Sequence, residues 1–472
     1  MLERYAPRVS LNCLWDESTS VDESTSEDFA SVDPPDSDVD LLVVGAGFTG
    51  LWTAWHHSLL VPDANIVVVD SHRVGFGASG RNGGWCSSYL PMTLDRIAAL
   101  SDTATAVRLQ RLMHATVDEI GDFIGAHGID CDWSKAGALT AARTTQQANR
   151  LREMVDEARR FGLGDEHVRM LDGDETRAIV RMRGASHAVL QPACAAVHPR
   201  KLVNGLARAV RSRGVRILTG ARFVDHRDRT STLRVGSSTV TMGARATVLC
   251  TEAWTSRLPG RRRTSIPLYS LMIATEPLAN ETWDEIGLVD RTVFADGRRL
   301  IIYGQRTADG RFAFGGRGAS YHWGSSIEEA HDHDESVARH LKHQLVDLFP
   351  MIGDARITHH WGGPLAAARD WTMSIEWDPT IGLGRAGNYV GDGVASSHLA
   401  GRILAELIAG ADTERTSLPL VGHRSPRWEP EPLRWFGVNL MSRLAGSIDR
   451  REAGSDSEQV LGTRLLDRLT GG

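Results

Sequence analysis

Gly45, Gly47 and Gly50 form a G-x-G-x-x-G run, and an acid, Asp70, follows 20 residues after the last glycine. Residues of these types at this spacing hold the phosphates and ribose of a dinucleotide. The first glycine allows a tight turn, and the second lets backbone approach a pyrophosphate. The third lets a helix pack closely on a strand. Phe48 and Thr49 open that helix, whose free amides and positive dipole end face the phosphates. A carboxylate at Asp70 takes both hydroxyls of an adenosine ribose and repels a 2′-phosphate. NADP is thereby excluded, while NAD and FAD both remain.

A second stretch, VGFGASGRNGG (74–84), holds seven Gly, Ala or Ser residues in eleven. Backbone at Ser79, Gly80 and Gly83 can lie close to a flat ring, and Arg81 and Asn82 add a charge and an amide. A nicotinamide lying across a sheet needs no such element, whereas an isoalloxazine must be enclosed. A third stretch, YVGDGVASSHLAGRILAELIAG (389–410), places Gly391, Gly393 and Val394 at another helix start. Amides at that positive dipole end favour a reduced flavin, which carries negative charge at its pyrimidine side. The combination selects FAD. Asp392 stands where it could cap this helix. Cys86 is the sole neighbouring thiol and is expected to be a packed side chain, so FAD is expected to be held noncovalently.

The elements that must position these residues are readable from apolar patterning. Val39–Val44 and residues 65–69 read as buried parallel strands flanking a helix over 48–59. A helical stripe on Val107, Leu112, Met113, Val117, Ile120, Phe123 and Ile124 is closed by Gly128. Further helices are expected after Thr144 (with Leu151, Met154, Val155 and Ala158 on one face), over 199–213 and over 335–348. Strands are expected at 215–218, 246–251, 268–275, 300–303, 311–316 and 388–390. A last helix follows from about 394 to 408. Trp435, Val438, Leu440 and Met441 are expected to pack a terminal helix onto the body.

The bounds are those of an ordinary globular chain with room for two or three domains. The chain has 472 residues, a net charge of −6, 42% hydrophobic and 24% charged residues, which argues against a nucleic-acid partner. No apolar run is long enough to span a membrane, and the first residues lack a secretory signal core. Five dispersed cysteines without a C-x-x-C pair fit a reduced cytoplasm. Residues 16–38 are acidic and polar, the composition of a flexible lead-in, with Leu14 and Trp15 before it expected to dock on the body. His331 and His333 are spaced like metal ligands but lack a distant third partner, so no metal site is expected.

The ordered blocks GAGFTGLWTA, GASGRNGG, HPRKLVNGLARA, ATVLCTEAW, PLYSLMIATEPL, YGQRTADGRFAFGGR, WGGP and YVGDGVASSHLAGRILAELIAG resemble the glycine/D-amino-acid oxidase superfamily of FAD-dependent amine oxidoreductases. The resemblance is to the branch that includes gamma-glutamylputrescine oxidoreductases, over about 39–440. It implies an α/β fold, α+β in part: a Rossmann-type FAD-binding domain, discontinuous in sequence, with an inserted antiparallel-sheet substrate domain. Expected boundaries are 1–38 for the lead-in; 39–98, 193–260 and 355–412 for the FAD domain; 99–192 and 261–354 for the substrate domain; and 413–472 for a C-terminal extension. The resemblance further implies that Phe223 offers backbone to adenine. Tyr269, Tyr303, Arg317, His322 and Trp361 are candidates to roof the flavin and orient an amine. The implied reaction is hydride transfer from an amine C–N bond to flavin, with hydrolysis of the imine and reoxidation by oxygen or another acceptor. A NAD-dependent dehydrogenase and a non-catalytic flavin-holding sensor are the alternatives. The chain departs from the family at Glu252, where Asn is usual. It also departs at Gly391-Asp392-Gly393, where Gly-His-Gly is usual. Pro364-Leu365 follow Gly363, where many amino-acid oxidases carry an arginine.

Overall fold

The computed structural model describes residues 10–17, 25–31, 39–317 and 321–454. Two large sheets organise them. The first is built around parallel strands Val39–Val44 and Ile66–Val69, flanked by Arg216–Thr219 on one side and Ser238–Leu249 on the other. Their side chains are apolar on both faces, as buried parallel strands require. Leu383–Gly387 also joins Ser238–Leu249 in parallel. The strand Ser238–Leu249 is long enough to do two jobs. Its first half forms an antiparallel ribbon with Thr230–Val235 and Ala221–Arg227, and its second half pairs with Val39–Val44. This is a Rossmann-type layer, and the helices Phe48–Leu60, Pro199–Ser212 and Gly393–Ile408 pack on it.

The second sheet has eight strands, beginning Ile357–Ala367, Ile266–Thr275, Phe312–Arg317 and Ile302–Arg306. Its pairings are antiparallel except where Val293–Asp296 meets Ala138–Ala142. That pairing joins two stretches far apart in sequence into one sheet. A separate core of Phe294, Phe312, Phe314 and Phe349 with Leu341, Leu345 and Leu348 lies under it.

Several expectations change. Ile357–Ala367, assigned to the FAD domain, is the edge strand of the second sheet, because its ten-residue register with Ile266–Thr275 outweighs its closeness in sequence to Leu383–Gly387. The helix Thr103–Ala126, assigned to the substrate domain, buries Met113, Val117 and Ile120 in the first core. Residues 388–390 are not a strand. The strand ends at Gly387, and Asn388 and Val390 take positive φ of 68° and 52°. Glu27–Asp28, in the stretch expected to be a flexible lead-in, pairs with Arg216–Thr219, whereas Leu14 and Trp15 are buried on the short helix Leu14–Glu17, docked on the body as expected. The helix Leu433–Gly454 turns Leu440 outward, 65% exposed, and buries Asn439, whose amide bonds the Tyr321 backbone. Met154 is also exposed on its helix.

All five cysteines are buried free thiols. Among the described residues no helix is long and apolar enough to cross a membrane.

Candidate functional site

Strand Val39–Val44 ends at a turn made for close approach. Gly45 has φ of +113°, and a Cβ there would overlap the Cys250 carbonyl. A Cβ on Gly50 would overlap the Gly45 carbonyl, so helix and turn can touch only without a side chain. A Cβ on Gly47 would fall 2.8 Å from the Ser79 hydroxyl. That hydroxyl accepts from the Phe48 N–H at 2.9 Å, binding the 74–84 stretch to the helix start. Asp70 ends the neighbouring strand. Its carboxylate accepts from the Ala46 N–H at 2.8 Å and the His72 N–H at 2.9 Å. Burial pushes its pKa above the usual carboxylate range, although both N–H bonds pull the other way.

These groups face one cavity of about 890 Å³. Gly45, Gly47, Phe48, Thr49 and Asp70 form one end of its wall, and Ser79, Asn82 and Phe223 add to it. Gly391, Gly393 and Val394 stand at the same wall, brought from the far end of the sequence by strand Leu383–Gly387. The helix over Gly393–Ile408 begins there, and Asp392 at its N-cap makes no side-chain cap bond, so its first amides are not capped by that carboxylate. The cavity is glycine-walled at both helix starts and carries a carboxylate at a strand end. Backbone donors at two positive helix ends fit a pyrophosphate and a flavin pyrimidine ring. The residues present therefore fit FAD.

Four expected cofactor residues lie off this wall. Gly50 packs under the turn, and Gly80 sits against the Arg200 guanidinium. Gly83 abuts the Tyr303 ring. Arg81 forms an ion pair with buried Asp332, and its guanidinium lies 4.7 Å from the Phe76 ring centroid. Burial raises the Asp332 carboxyl, opposed by Arg81.

Four of the expected roof residues, Tyr269, Tyr303, His322 and Trp361, also lie off the cavity wall and fall into two groups. Tyr303 and Trp361 touch the flavin loop: the Trp361 indole donates to the Arg81 carbonyl at 2.9 Å, and the Tyr303 hydroxyl shares a 2.9 Å bond with Ser270. Tyr269 instead meets His322 and His331, whose rings stack in parallel with centroids 3.5 Å apart. Burial, then the His331 ring, pushes His322 below the usual histidine range. Arg317 ends its strand, and its side chain lies outside the described residues.

The sequence reading passed over Glu252 as a site residue. It lines the cavity, and its carboxylate accepts from the Ala366 N–H at 3.2 Å and the Asn388 N–H at 3.0 Å. Burial pushes its pKa up to about 7 against those bonds. Its grip holds the chain that runs through Val390, a β-branched residue at positive φ, into Gly391. The Tyr389 hydroxyl, 3.0 Å from Thr49 Oγ1, ties the two helix starts together. An acid where a family usually has Asn was the available signal for Glu252; nothing in the local pattern marks Tyr389.

A family model described as FAD dependent oxidoreductase (DAO) matches residues 40–407. The gamma-glutamylputrescine oxidoreductase of Escherichia coli (strain K12) is 29% identical over 385 residues, covering 80% of this chain and 84% of that protein. The probable oxidoreductase OrdL of Haemophilus influenzae is 28% identical over 389 residues, with the same 80% and 84% shares. Glycine oxidase from Geobacillus kaustophilus shares the fold with a TM-score of 0.67 and 21% identity, over 83% of this chain and 100% of that one.

Proposed function

The chain belongs to the family of FAD-dependent oxidoreductases, and from that premise we propose that it oxidises the C–N bond of an amine whose reacting carbon bears no carboxylate. The observation that carries the reading is the single cavity in which two helix starts, Gly45–Gly50 and Gly391–Val394, converge with Asp70. In this reading Gly45 and Gly47 hold the pyrophosphate, Asp70 the ribose, and Gly391, Gly393 and Val394 the pyrimidine end. FAD, once bound, supplies a two-electron acceptor for a hydride leaving carbon.

The chain's own residues then bind and orient the amine. Tyr303 and Trp361, borne on the second sheet against the 79–83 loop, orient the substrate in this reading. Tyr269 and His322 offer further polar contact. Hydride loss needs a free nitrogen lone pair, and an alkyl ammonium has a pKa of about 10.4. A largely buried apolar pocket favours the neutral amine over the ammonium. The proton therefore leaves on binding, and the imine product hydrolyses to a carbonyl compound and ammonia or a smaller amine.

The carboxylate-free substrate is supported by Pro364-Leu365, with Leu365 on the cavity wall. Of the two arginines that could replace the one missing there, Arg317 and Arg369, the latter is committed to Glu429 at 3.1 Å and to the Trp428 ring, while the side chain of Arg317 lies outside the described residues. A relative named for gamma-glutamylputrescine agrees with a polyamine-type substrate. The test is anaerobic bleaching of the flavin by a panel of amines. Polyamine-type and alkyl amines are expected to bleach it faster than glycine or D-amino acids, and the reverse order would overturn the substrate class. Failure of every amine to bleach a loaded flavin would favour a non-catalytic role.

A further inference from the structure

Resting on the FAD reading, we propose that residues 13–17 form a clasp that sets the flavin-facing loop 79–83, with Trp15 as its positioning residue. Trp15 is 3% exposed, and its indole donates to the Asn82 carbonyl at 2.8 Å. The adjacent Arg81 carbonyl accepts from Trp361 at 2.9 Å. The two indoles meet edge to face, centroids 6.1 Å apart. Asn82 lines the cavity whereas Trp15 does not, so Trp15 acts on the site through the loop.

Asp16 completes the clasp by charge. Its two oxygens accept from Arg200 Nε at 2.9 Å and from Arg73 at 2.7 Å. The Arg200 side chain is 2% exposed, lies against Gly80 and donates to the Val74 carbonyl at 2.7 Å. A guanidinium so deeply buried needs an anion beside it, and the short helix Leu14–Glu17 brings that anion under the loop. The same segment is stitched to the second sheet. Ser10 donates to the Thr358 carbonyl at 2.7 Å and accepts from His360 at 3.0 Å, while Glu17 pairs with His359 at 2.8 Å. The clasp therefore bonds the flavin loop and the strand that carries Trp361 at once. The family match begins at residue 40, so the match assigns it no role.

A loop held in place before FAD arrives does not draw its ordering cost from binding. Losing one indole donor to a half-buried carbonyl of the loop should then weaken FAD by about five- to tenfold. The test reconstitutes full-length apoprotein with FAD and follows affinity, the visible fine structure of the bound flavin, and apoprotein melting. Trp15→Phe keeps an aromatic side chain, though a smaller one, and removes the donor; Asp16→Asn keeps the shape and removes the charge. Glu27→Gln is the control, since Glu27 pairs with Arg211 at 2.7 Å on the sheet edge, away from the loop. Both clasp variants are expected to lose FAD affinity and to alter the flavin spectrum, with the control unchanged in both. Unchanged affinity and spectrum in the clasp variants would overturn the proposal, as would losses that merely track melting temperature across all three. A wild-type chain that binds no FAD would overturn the cofactor reading and the clasp with it. Wild-type binding with insensitive variants would overturn the clasp alone.

Discussion

The nucleotide end of the site and its roof are made of different material. At the nucleotide end the work falls to backbone: two glycine turns, two helix starts and a carboxylate fixed by N–H groups. At the roof it falls to side chains borne on a separate sheet, Tyr303 and Trp361 against the loop and Tyr269 with His322 beside it. Backbone amides do not titrate, and a site built on them fails by steric exclusion. Side-chain sites fail gradually and respond to protonation.

The sharpest way to break this comparison is Gly47→Val. A branched side chain would fill the space toward the Ser79 hydroxyl, and FAD affinity should fall by about 1000-fold or more. A fully loaded, yellow Gly47→Val protein would mean that the phosphates are misplaced.

The next largest effect separates the two ends by pH. The rate of anaerobic flavin reduction should rise about tenfold per pH unit below the pKa of an alkyl amine. FAD affinity should stay nearly constant from pH 8 to 9, above the Glu252 carboxyl raised to about 7, since Gly45, Gly47 and the helix amides do not titrate. The profile should move with the basicity of the substrate. A fixed profile that collapses on His322→Gln would instead reveal a dedicated base at the roof.

A smaller effect is expected for Tyr303→Phe, which removes the hydroxyl bonded to Ser270 while leaving the ring against Gly83. Flavin content should be unchanged and the reduction rate lower by about tenfold, the scale of one orienting hydrogen bond. Loss of flavin in this variant would erase the distinction between the two ends.

The smallest effect concerns the packing behind the backbone end. His56 and His398 meet between the two helices whose starts line the cavity, with ring centroids 4.8 Å apart. Burial lowers His56 to about 3 and His398 well below the usual range. The unfolded chain takes up protons near pH 6.5 that the folded chain refuses, so stability is full above that pH and falls as pH drops below it. The thermal midpoint of the holoenzyme should decline between pH 7 and 5, and His56→Gln should flatten that decline. An equal slope in both proteins would remove His56 from this role.

The legible parts of the molecule were those governed by local rules. The helix after Gly45-x-Gly47 and the helix closed by Gly128 follow from apolar spacing and glycine turns, and both stand where the patterning places them. So does the helix Thr145–Arg160, capped by Thr144. The strand expected at 388–390 was misread because Tyr389 and Val390 favour strands by type. Contacts from Glu252 and Thr49 hold that stretch as a turn instead.

The sequence alone determined the family and the cofactor, because glycine spacing and helix starts are properties of a few consecutive residues. Only the tertiary structure decided which sheet takes Ile357–Ala367, which core takes Thr103–Ala126, and that Trp15, Asp16 and Glu252 stand beside the cofactor elements. Those outcomes rest on strand register, shared burial and single long-range hydrogen bonds. None of these leaves a periodic mark on the chain, since each depends on where a distant segment comes to lie.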